Sequence, residues 1–552
     1  MGSRGNKLEG TTLLPASHTP LALSQYQGKS FAHQLLERLR LGLEETGDRR
    51  WLTNGALQTC GKSNVLGRES YSLGQVEPRC LQMARGLHHK LGFRKGDVAH
   101  LVMPGNTEMY FPVIAAWLLQ GVVSPADPGL KAEVLALQIK EVKAKVVFCC
   151  RATLEKVREA VGLVSHRVTL VILDGDNNST KGDEMSLECL IDEGDNDTLE
   201  LPQAETVEED ELMMIMWSSG TTGRPKGIMH GPKMPLRILD GKASFPGTIL
   251  QTTCFFHLGG FLQPLNSLMT REETVFIAPE DLDDDIALLL KVARKNSASN
   301  LVCGSHHLIQ LAALRAGSGE SADTIKMICP LGANLYEGII DDLKDKFPAA
   351  RAVLNVYGQS EGGAAVSVSV TQANLGDLHC PAVRVIDPDT GEPLGPNMVG
   401  EIVYKTNAVM LGYLNHPEEN NKFFGPDGFC HSGDLGHYDE NAVLFYDGRL
   451  KELIKYKNFH LYPNELEELL LSHEAVEDVA VFGKHEASVQ ELVTALVVKR
   501  NDSKVSEQEL VKFADEKVDD HKKIRGGVHF VEKIPKNPQG KILRKNLLAL
   551  IN

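Results

Sequence analysis

The sequence predicts an α/β protein with a large N-terminal domain, built from two doubly wound α/β subdomains plus a small β-rich unit, and a small α+β C-terminal lid domain. Three observations favour this fold class. Short β-branched strands alternate with helical segments, as in parallel sheets covered by helices. The pattern changes to short strands and turns near residue 382, and again after residue 448. At 552 residues, the chain is also too long for a single hydrophobic core.

Helices and strands alternate through the first half of the chain. Leucines recur at helical spacing between Phe31 and Leu43 and predict a lead-in helix. A second helix is predicted within Tyr71–Leu91, and a helix followed by a strand within Tyr110–Pro125. The acidic segment Asp174–Asp210 is expected to be a loop with one short helix. The other strands predicted here are Val98–Met103, Val146–Cys150, Val168–Leu173 and Leu212–Trp217.

The second half repeats this alternation, which fits a body of two similar halves. A helix is predicted over Ile286–Arg294, and short strands with turns over Ala382–Tyr404 indicate the β-rich unit. The strands predicted between them are Thr248–His257, Leu301–Cys303, Met327–Pro330 and Ala352–Tyr357.

The chain changes character after Gly448. Pro463 can begin a helix, and Ser506 with Glu509 forms a capping box ahead of another. Strands are predicted over Val479–Phe482 and Leu492–Val498. We therefore divide the chain into domains 1–448 and 449–552.

The composition and charge of the chain disfavour several classes of partner and location. The 58 basic and 73 acidic residues give a net charge of −15, which disfavours nucleic acid as a partner. Ten scattered cysteines without a C-x-x-C motif indicate a reduced, cytoplasmic protein. The polar N-terminus does not resemble a secretory signal, the C-terminal Leu-Ile-Asn is not a peroxisomal address, and no stretch reads as a membrane span. We expect small-molecule partners and a monomer.

The segment LMMIMWSSGTTGRPKG has the composition of a polyphosphate-binding loop after a buried strand. Its glycines allow close approach of the backbone, its hydroxyls donate hydrogen bonds, and Lys226 neutralises charge. It is not a Walker loop. The alternative is a surface turn after a core strand.

SSGTTGRPKG resembles the phosphate loop of the adenylate-forming enzymes, which include acyl-CoA synthetases, 4-coumarate:CoA ligases, firefly luciferases and peptide-synthetase adenylation domains. The resemblance implies ATP, Mg²⁺ and a carboxylic acid as ligands, with CoA as co-substrate. It makes 1–448 the AMP-binding domain and 449–552 a hinged lid. The residues it assigns to ATP here are Ser218, Ser219, Gly220, Thr221, Thr222 and Lys226, with Thr222 also near the metal.

Further motifs resemble the family in the same order along the chain. Gly332-Ala333-Asn334 matches a segment that packs against adenine. In the motif YGQSE, Tyr357 and Gly358 would lie against adenine, Ser360 would meet the α-phosphate and Glu361 would hold Mg²⁺. An ordinary turn is the alternative for both segments.

Three more matches concern the ribose and the hinge. Asp434, in Ser-Gly-Asp, would accept the ribose hydroxyls. Arg449 would contact ribose or phosphate, and Lys451 marks the hinge. The alternative for each is an ordinary polar turn.

The resemblance assigns acyl chemistry to three more residues. His257, in FFHLGGF, would line the acyl pocket, with Gly259 and Gly260 leaving room for the acyl group; a core histidine is the alternative. Lys541 would stabilise charge on the carboxylate and α-phosphate. Lys455 would face the acyl group once the lid has rotated.

The CoA half departs from the family pattern. Relatives commonly have Lys-Gly-Phe-Gln where this chain has Lys-Asn-Phe-His. Asn458 can take a positive φ in place of the glycine, and the resemblance implies that His460 changes a hydrogen-bond partner near the pantetheine tunnel or the adenylate phosphate. The resemblance implies an acid–thiol ligase for a medium-chain, fatty or aryl acid. Two alternatives remain open, namely a luciferase-type monooxygenase and a weakly active adenylate-binding protein.

Overall fold

The protein is described from a computed structural model. It covers residues 6–14, 30–56, 68–175, 182–191, 201, 208, 210–218, 225–235, 246–312, 314, 321–331, 337–369, 375, 377–457, 459–486, 488–500, 503–536 and 541–551. The described residues form five β-sheets. The mixed α/β architecture confirms the predicted fold class.

The first sheet has eight strands; Gly227–His230 runs antiparallel to both of its neighbours, and the other pairings are parallel. There, Met214–Trp217 and Gly227–His230 pair antiparallel, with Trp217 opposite Gly227. The predicted phosphate loop therefore connects two hydrogen-bonded strands. In spatial order the strands are Gly412–Tyr413, Gly227–His230, Met214–Trp217, Val122–Ala126, Val98–Val102, Val146–Cys149, Thr169–Ile172 and Glu184–Ser186.

The second sheet has seven strands, all parallel except for the last pair. The strand predicted over Thr248–His257 ends at Gln251, because the chain then turns and His257 caps a helix. The strand predicted over Ala352–Tyr357 is divided between two sheets. In spatial order the strands are Ala352–Val353, Met327–Leu331, Asn300–Gly304, Ile249–Gln251, Thr274–Phe276, Arg50–Asn54 and Ser70–Ser72.

Two antiparallel sheets form the β-rich part. A three-stranded sheet contains Asn355–Gln359, Ala364–Ser369 and Asp377–Leu378. A six-stranded sheet contains, in order, Lys7–Glu9, Thr12–Leu14, Ala382–Ile386, Gly400–Lys405, Cys430–Tyr438 and Leu444–Arg449. The first two strands of this sheet were not predicted, because the polar N-terminal sequence does not alternate apolar and polar residues. They are strands because Thr12–Leu14 pairs with Ala382–Ile386.

The C-terminal unit has its own sheet and core. Its strands are Phe459–Leu461, Ile454–Tyr456, Gln490–Lys499, Val476–Glu486 and Val528–Phe530. Leu466, Val481 and Leu510 are among the buried residues of its core. The six-stranded sheet ends at Arg449 and this sheet begins at Ile454, so the predicted boundary at 448/449 lies beside the change of sheet. The boundary itself stays a prediction.

The helices cover the sheets and supply the main core. The helix Tyr110–Leu118 is buried at every position. The Nε1 atom of Trp117 donates to the carbonyl of Met213 (3.0 Å), and Nε1 of Trp51 donates to that of Pro264 (2.8 Å). The α-helices are Phe31–Thr46, Leu73–Leu91, Tyr110–Leu118, Ala132–Glu141, Arg151–Gly162, Leu187–Leu190, Leu258–Thr270, Pro279–Asp284, Leu288–Lys295, Ser305–Ala312, Glu337–Lys344, Pro417–Phe423, Pro463–Leu471 and Glu507–Asp515.

Several helix predictions are confirmed, including the lead-in helix, the helix beginning at Pro463 and the capping box at Ser506. The acidic segment contains the predicted short helix, Leu187–Leu190, preceded by the unpredicted strand Glu184–Ser186. Among the helices in the described ranges, none is both long enough and apolar enough to cross a bilayer.

Candidate active site

The two ends of the predicted phosphate loop are joined by hydrogen bonds. The backbone N–H of Ser218 donates to the carbonyl of Lys226 (3.0 Å), and the backbone N–H of Lys226 donates to Oγ of Ser218 (3.2 Å). The rest of the assigned loop lies outside the described residues, namely Ser219, Gly220, Thr221 and Thr222. The structure therefore describes the anchoring of the loop, and the roles of those four residues stay predictions.

Asp434 is the centre of a buried polar cluster. Its side chain is 2% exposed, and its Oδ2 atom accepts from the hydroxyl of Tyr357 (3.0 Å) and from Nε2 of Gln359 (3.2 Å). Its Oδ1 atom lies 2.7 Å from Nε of Arg449, directly opposite on the adjacent strand. A segment 75 to 77 positions earlier in the chain thus meets the hairpin of Asp434 and Arg449 at one carboxylate.

Burial and hydrogen bonding act in opposite directions on Asp434. Burial raises the pKa of its carboxyl, whereas Arg449, Tyr357 and Gln359 favour the ionised form. Burial also raises the pKa of Tyr357 well above its ordinary value, so the phenol remains a donor to Asp434. The pKa of Asp434 lies above its ordinary value because burial dominates, and its neighbours orient its acceptor oxygens.

A second group links Glu361 to Lys226 through Tyr413. The hydroxyl of Tyr413 donates to Oε1 of Glu361 (2.8 Å), and Nζ of Lys226 lies 5.3 Å from the centre of the Tyr413 ring. Burial, and then the negative charge of Glu361, raises the pKa of Tyr413, and Arg449 acts in the opposite direction. The Glu361 group and the Asp434 cluster are therefore neighbours.

The C-terminal unit adds Lys541 to this region. Its side chain is half-buried, and its pKa lies below the ordinary value because of burial and then the positive charge of Arg449. Glu452 and Asp434 act on it in the opposite direction. The ammonium group thus lies within electrostatic range of Asp434, as the assigned role requires.

Arg544 fastens the segment that carries Lys541. Its guanidinium lies 2.8 Å from Oε2 of Glu452 and 2.8 Å from Oε1 of Glu467. It also donates to the carbonyl of Val481. The C-terminal segment is thereby joined to the turn after Arg449 and to the helix Pro463–Leu471.

His257 lies at the start of the helix Leu258–Thr270, and burial lowers the pKa of its imidazole to about 4. A Cβ atom on Gly260 would lie 2.2 Å from the carbonyl oxygen of Cys254, so Gly260 permits close backbone packing rather than leaving room for an acyl group. A Cβ atom on Gly259 would meet Leu331 at 2.9 Å.

Two assigned lysines lie on the exposed face of the C-terminal unit. Lys451 belongs to the turn Leu450–Glu452, and Lys455 lies on the strand Ile454–Tyr456. Gly358 and Ser360 belong to the segment that contains Glu361 and contacts Asp434 through Tyr357 and Gln359. The remaining assigned groups lie outside what the structure describes, namely Gly332, Ala333, Asn334, Asn458 and the side chain of His460.

Sequence reasoning missed Tyr413, Glu419 and Arg544. Among these three residues, only Glu419 lies in a sequence with a recognisable structural pattern. A proline followed by glutamates predicts the first turn of a helix. Nothing local indicates that Glu419 pairs with Lys226 from 193 positions away.

The donor set fits a magnesium ion held jointly with phosphate. Glu361 offers a carboxylate that Tyr413 connects to Lys226, and the described residues contain no group of three acidic, histidine or cysteine side chains arranged to hold a metal unaided. Mg²⁺ commonly binds through one or two carboxylates plus substrate phosphates. The role of Glu361 as the residue that holds it stays a prediction.

Comparisons with known proteins identify the family. The family model for AMP-binding enzymes matches residues 52–414, and that for the C-terminal domain of AMP-binding enzymes matches residues 465–541. A 4-coumarate–CoA ligase from Oryza sativa subsp. japonica is 30% identical over 501 residues, which is 87% of each chain. The fold and site define an adenylate-forming type of enzyme, and the chain belongs to the AMP-binding enzyme family.

Solved structures share the fold. ATP-bound MatB from Rhodopseudomonas palustris superposes with a TM-score of 0.78 at 24% identity, covering 93% of this chain and 98% of that one. The o-succinylbenzoate CoA synthetase MenE from Bacillus subtilis, in complex with ATP and a magnesium ion, gives 0.75 at 20% identity, covering 93% and 99%.

Proposed function

We propose that the protein is an ATP- and Mg²⁺-dependent acid–CoA ligase for a medium-chain, fatty or aryl carboxylic acid. The observation that carries the proposal is the buried Asp434, which Tyr357, Gln359 and Arg449 orient while Lys541 approaches from the C-terminal unit. The similarity to 4-coumarate–CoA ligases supports the reaction class.

The first half-reaction would activate the acid. A carboxylate oxygen attacks the α-phosphorus of ATP, the bond to the bridging oxygen of the β-phosphate breaks, and pyrophosphate leaves. Bound Mg²⁺ would neutralise phosphate charge at Glu361. Asp434 would hold the ribose, Lys226 would neutralise the departing phosphates, and Lys541 would stabilise the charge that develops at the α-phosphate.

The second half-reaction would transfer the acyl group. The thiolate of CoA attacks the acyl carbon, the bond from that carbon to the AMP oxygen breaks, and AMP leaves with the electron pair. Lys541 would have to withdraw to admit the thiol. Rotation of the C-terminal unit about Lys451 would remove it and bring Lys455 towards the acyl group.

A panel of acids tests the proposal directly. The purified protein is incubated with MgATP, CoA and each acid, and pyrophosphate and acyl-CoA are measured. We expect acid-dependent formation of both in equal amounts. MgATP binding without pyrophosphate release would instead indicate an adenylate-binding protein, and light emission with luciferin and O₂ would indicate the monooxygenase. Either result, without acyl-CoA formation, would contradict the proposal.

A further inference from the structure

We propose that Glu419 is a built-in counter-ion that competes with the phosphates of the nucleotide for Lys226, and that Lys422 sets how strongly it competes. The inference rests on the proposed function, since it takes Lys226 to be a phosphate-binding residue. It adds two residues that tune nucleotide affinity.

The Lys226–Glu419 contact is close and largely withdrawn from water. Nζ of Lys226 lies 2.5 Å from Oε2 of Glu419, and the two side chains are only 16% and 28% exposed. Partly buried charges are screened less than surface pairs. The carboxylate therefore neutralises much of the charge that phosphate would otherwise meet.

Hydrogen bonds from the side chain of Asn420 to a neighbouring strand hold the helix of Glu419 in this position. Its helix, Pro417–Phe423, is fastened to the neighbouring strand because the backbone N–H of Tyr413 donates to Oδ1 of Asn420 (2.6 Å) and Nδ2 of Asn420 donates to the carbonyl of Tyr413 (3.3 Å). That strand pairs with Gly227–His230, which begins immediately after Lys226. The carboxylate and the ammonium group thus belong to one supported assembly.

Lys422 shares the same carboxylate from the solvent side. Its Nζ lies 2.9 Å from Oε1 of Glu419, and its side chain is 71% exposed. Hydrogen bonds from Lys226 and then Lys422 lower the pKa of Glu419 to about 2. Because two cations share one anion, loss of Lys422 leaves Glu419 a stronger partner for Lys226. Changing Glu419 and changing Lys422 should therefore move nucleotide affinity in opposite directions.

The test is MgATP binding to the full-length chain, measured by isothermal titration calorimetry. Glu419→Gln is expected to tighten binding about three- to ten-fold, and Lys422→Ala to weaken it about two- to three-fold. In the Glu419→Gln background, Lys422→Ala should have no effect, since the carboxylate through which it acts is gone. Glu418→Gln is the matched control: it removes an equal charge from an exposed neighbour and should change affinity less than two-fold.

The outcomes separate the inference from the proposed function. Weaker MgATP binding by Glu419→Gln would make Glu419 a positioning residue and overturn the counter-ion inference alone. An effect of Lys422→Ala that persists without Glu419 would also overturn it. If Lys226→Ala binds MgATP as tightly as the unchanged protein, Lys226 is not a phosphate-binding residue and the inference fails, while the proposed function is still decided by acyl-CoA formation. If the unchanged protein does not bind MgATP, the proposed function fails and the inference fails with it. If Glu419→Gln does not fold, Lys422→Ala tests the inference by itself. Weaker MgATP binding by Lys422→Ala supports the inference, and unchanged or tighter binding overturns it.

Discussion

At the scale of single residues, burial sets the chemical state of the groups around Asp434. Burial keeps Tyr357 protonated, and Arg449 keeps the buried Asp434 paired with a cation. The same environment lowers the pKa of Lys541. Donors and acceptors that are already oriented need no reorganisation when charge develops, which is how such sites accelerate reactions.

The first prediction concerns Lys541. Lys541→Ala should slow acid-dependent ATP–pyrophosphate exchange by about 10²–10³, the usual effect of losing one charge-stabilising donor. Because its pKa is lowered, the wild-type rate should fall with rising pH before an exposed lysine would titrate. Lys545→Ala, an exposed change in the same segment, is the control. Full exchange activity in Lys541→Ala would refute the assigned role.

These residues could be singled out from the sequence because each lies in a short motif that resembles one of the adenylate-forming enzymes. Asp434 follows Ser-Gly, and Lys541 follows Gly540 in a lysine-containing tail. Tyr413 has no such motif. Its importance comes from contacts with Glu361 and Lys226, which are 52 and about 190 positions away along the chain.

At the scale of elements, Arg544 connects the end of the chain to the body of the C-terminal unit. The side chain of Glu467 is only 4% exposed, and its Oε1 atom also accepts from the backbone N–H of Val481 (2.8 Å). A buried carboxylate of this kind is costly without its cation. The position of Lys541 therefore depends on an ion pair three residues further along the chain.

The second prediction tests that connection. Arg544→Met should destabilise the C-terminal unit by about 3–5 kcal/mol, because it leaves Glu467 as an uncompensated buried charge. Hydrogen exchange measured by mass spectrometry on the strand Val476–Glu486 reports the loss. The double variant Arg544→Met/Glu467→Met should recover part of it.

Lys512→Met is the matched control for this experiment. It breaks an exposed pair with Glu516, whose two side chains are 77% and 65% exposed, so protection should change little. If Arg544→Met exchanged no faster than Lys512→Met, the ion pair would not hold the segment in place.

Strand and helix types were mostly predictable because hydrophobic periodicity is local. The errors came where tertiary contacts override it. Lys7–Glu9 and Thr12–Leu14 are strands because they pair with one another and then with Ala382–Ile386. Residues after Gln251 leave the second sheet because the helix that begins after His257 requires a turn.

At the scale of the whole molecule, several histidines are buried in a neutral state. His100, His230 and His307 are each at most 1% exposed. Burial lowers their pKa values to about 3, about 4 and about 3, respectively. An unfolded chain titrates these groups near a pKa of about 6.5.

The third prediction follows from this difference. As the pH falls from about 6.5 towards 5, the unfolded state takes up protons that the native state excludes. The free energy of unfolding should therefore decrease, by up to about 1.4 kcal/mol per pH unit for each histidine. The midpoint of urea unfolding at pH 7, 6 and 5 measures this decrease.

Replacing one buried histidine should flatten the pH dependence. His100→Leu is expected to reduce the slope of the free energy of unfolding against pH by the contribution of one histidine. His485→Gln, at an exposed strand position, should leave that slope unchanged. An equal slope in His100→Leu and the unchanged protein would show that His100 does not contribute.

Most of the helices and strands, the two-part organisation and the motifs that resemble those of the adenylate-forming enzymes could be identified from the sequence. They depend on spacing, propensity and short motifs, which act over a few residues. Three sets of contacts could be found only in the folded structure. Tyr413 connects Glu361 to Lys226, Glu419 pairs with Lys226, and Arg544 holds the segment that carries Lys541. Such contacts join positions tens to hundreds of residues apart, and they form only where packed elements bring the ends of distant segments into one place.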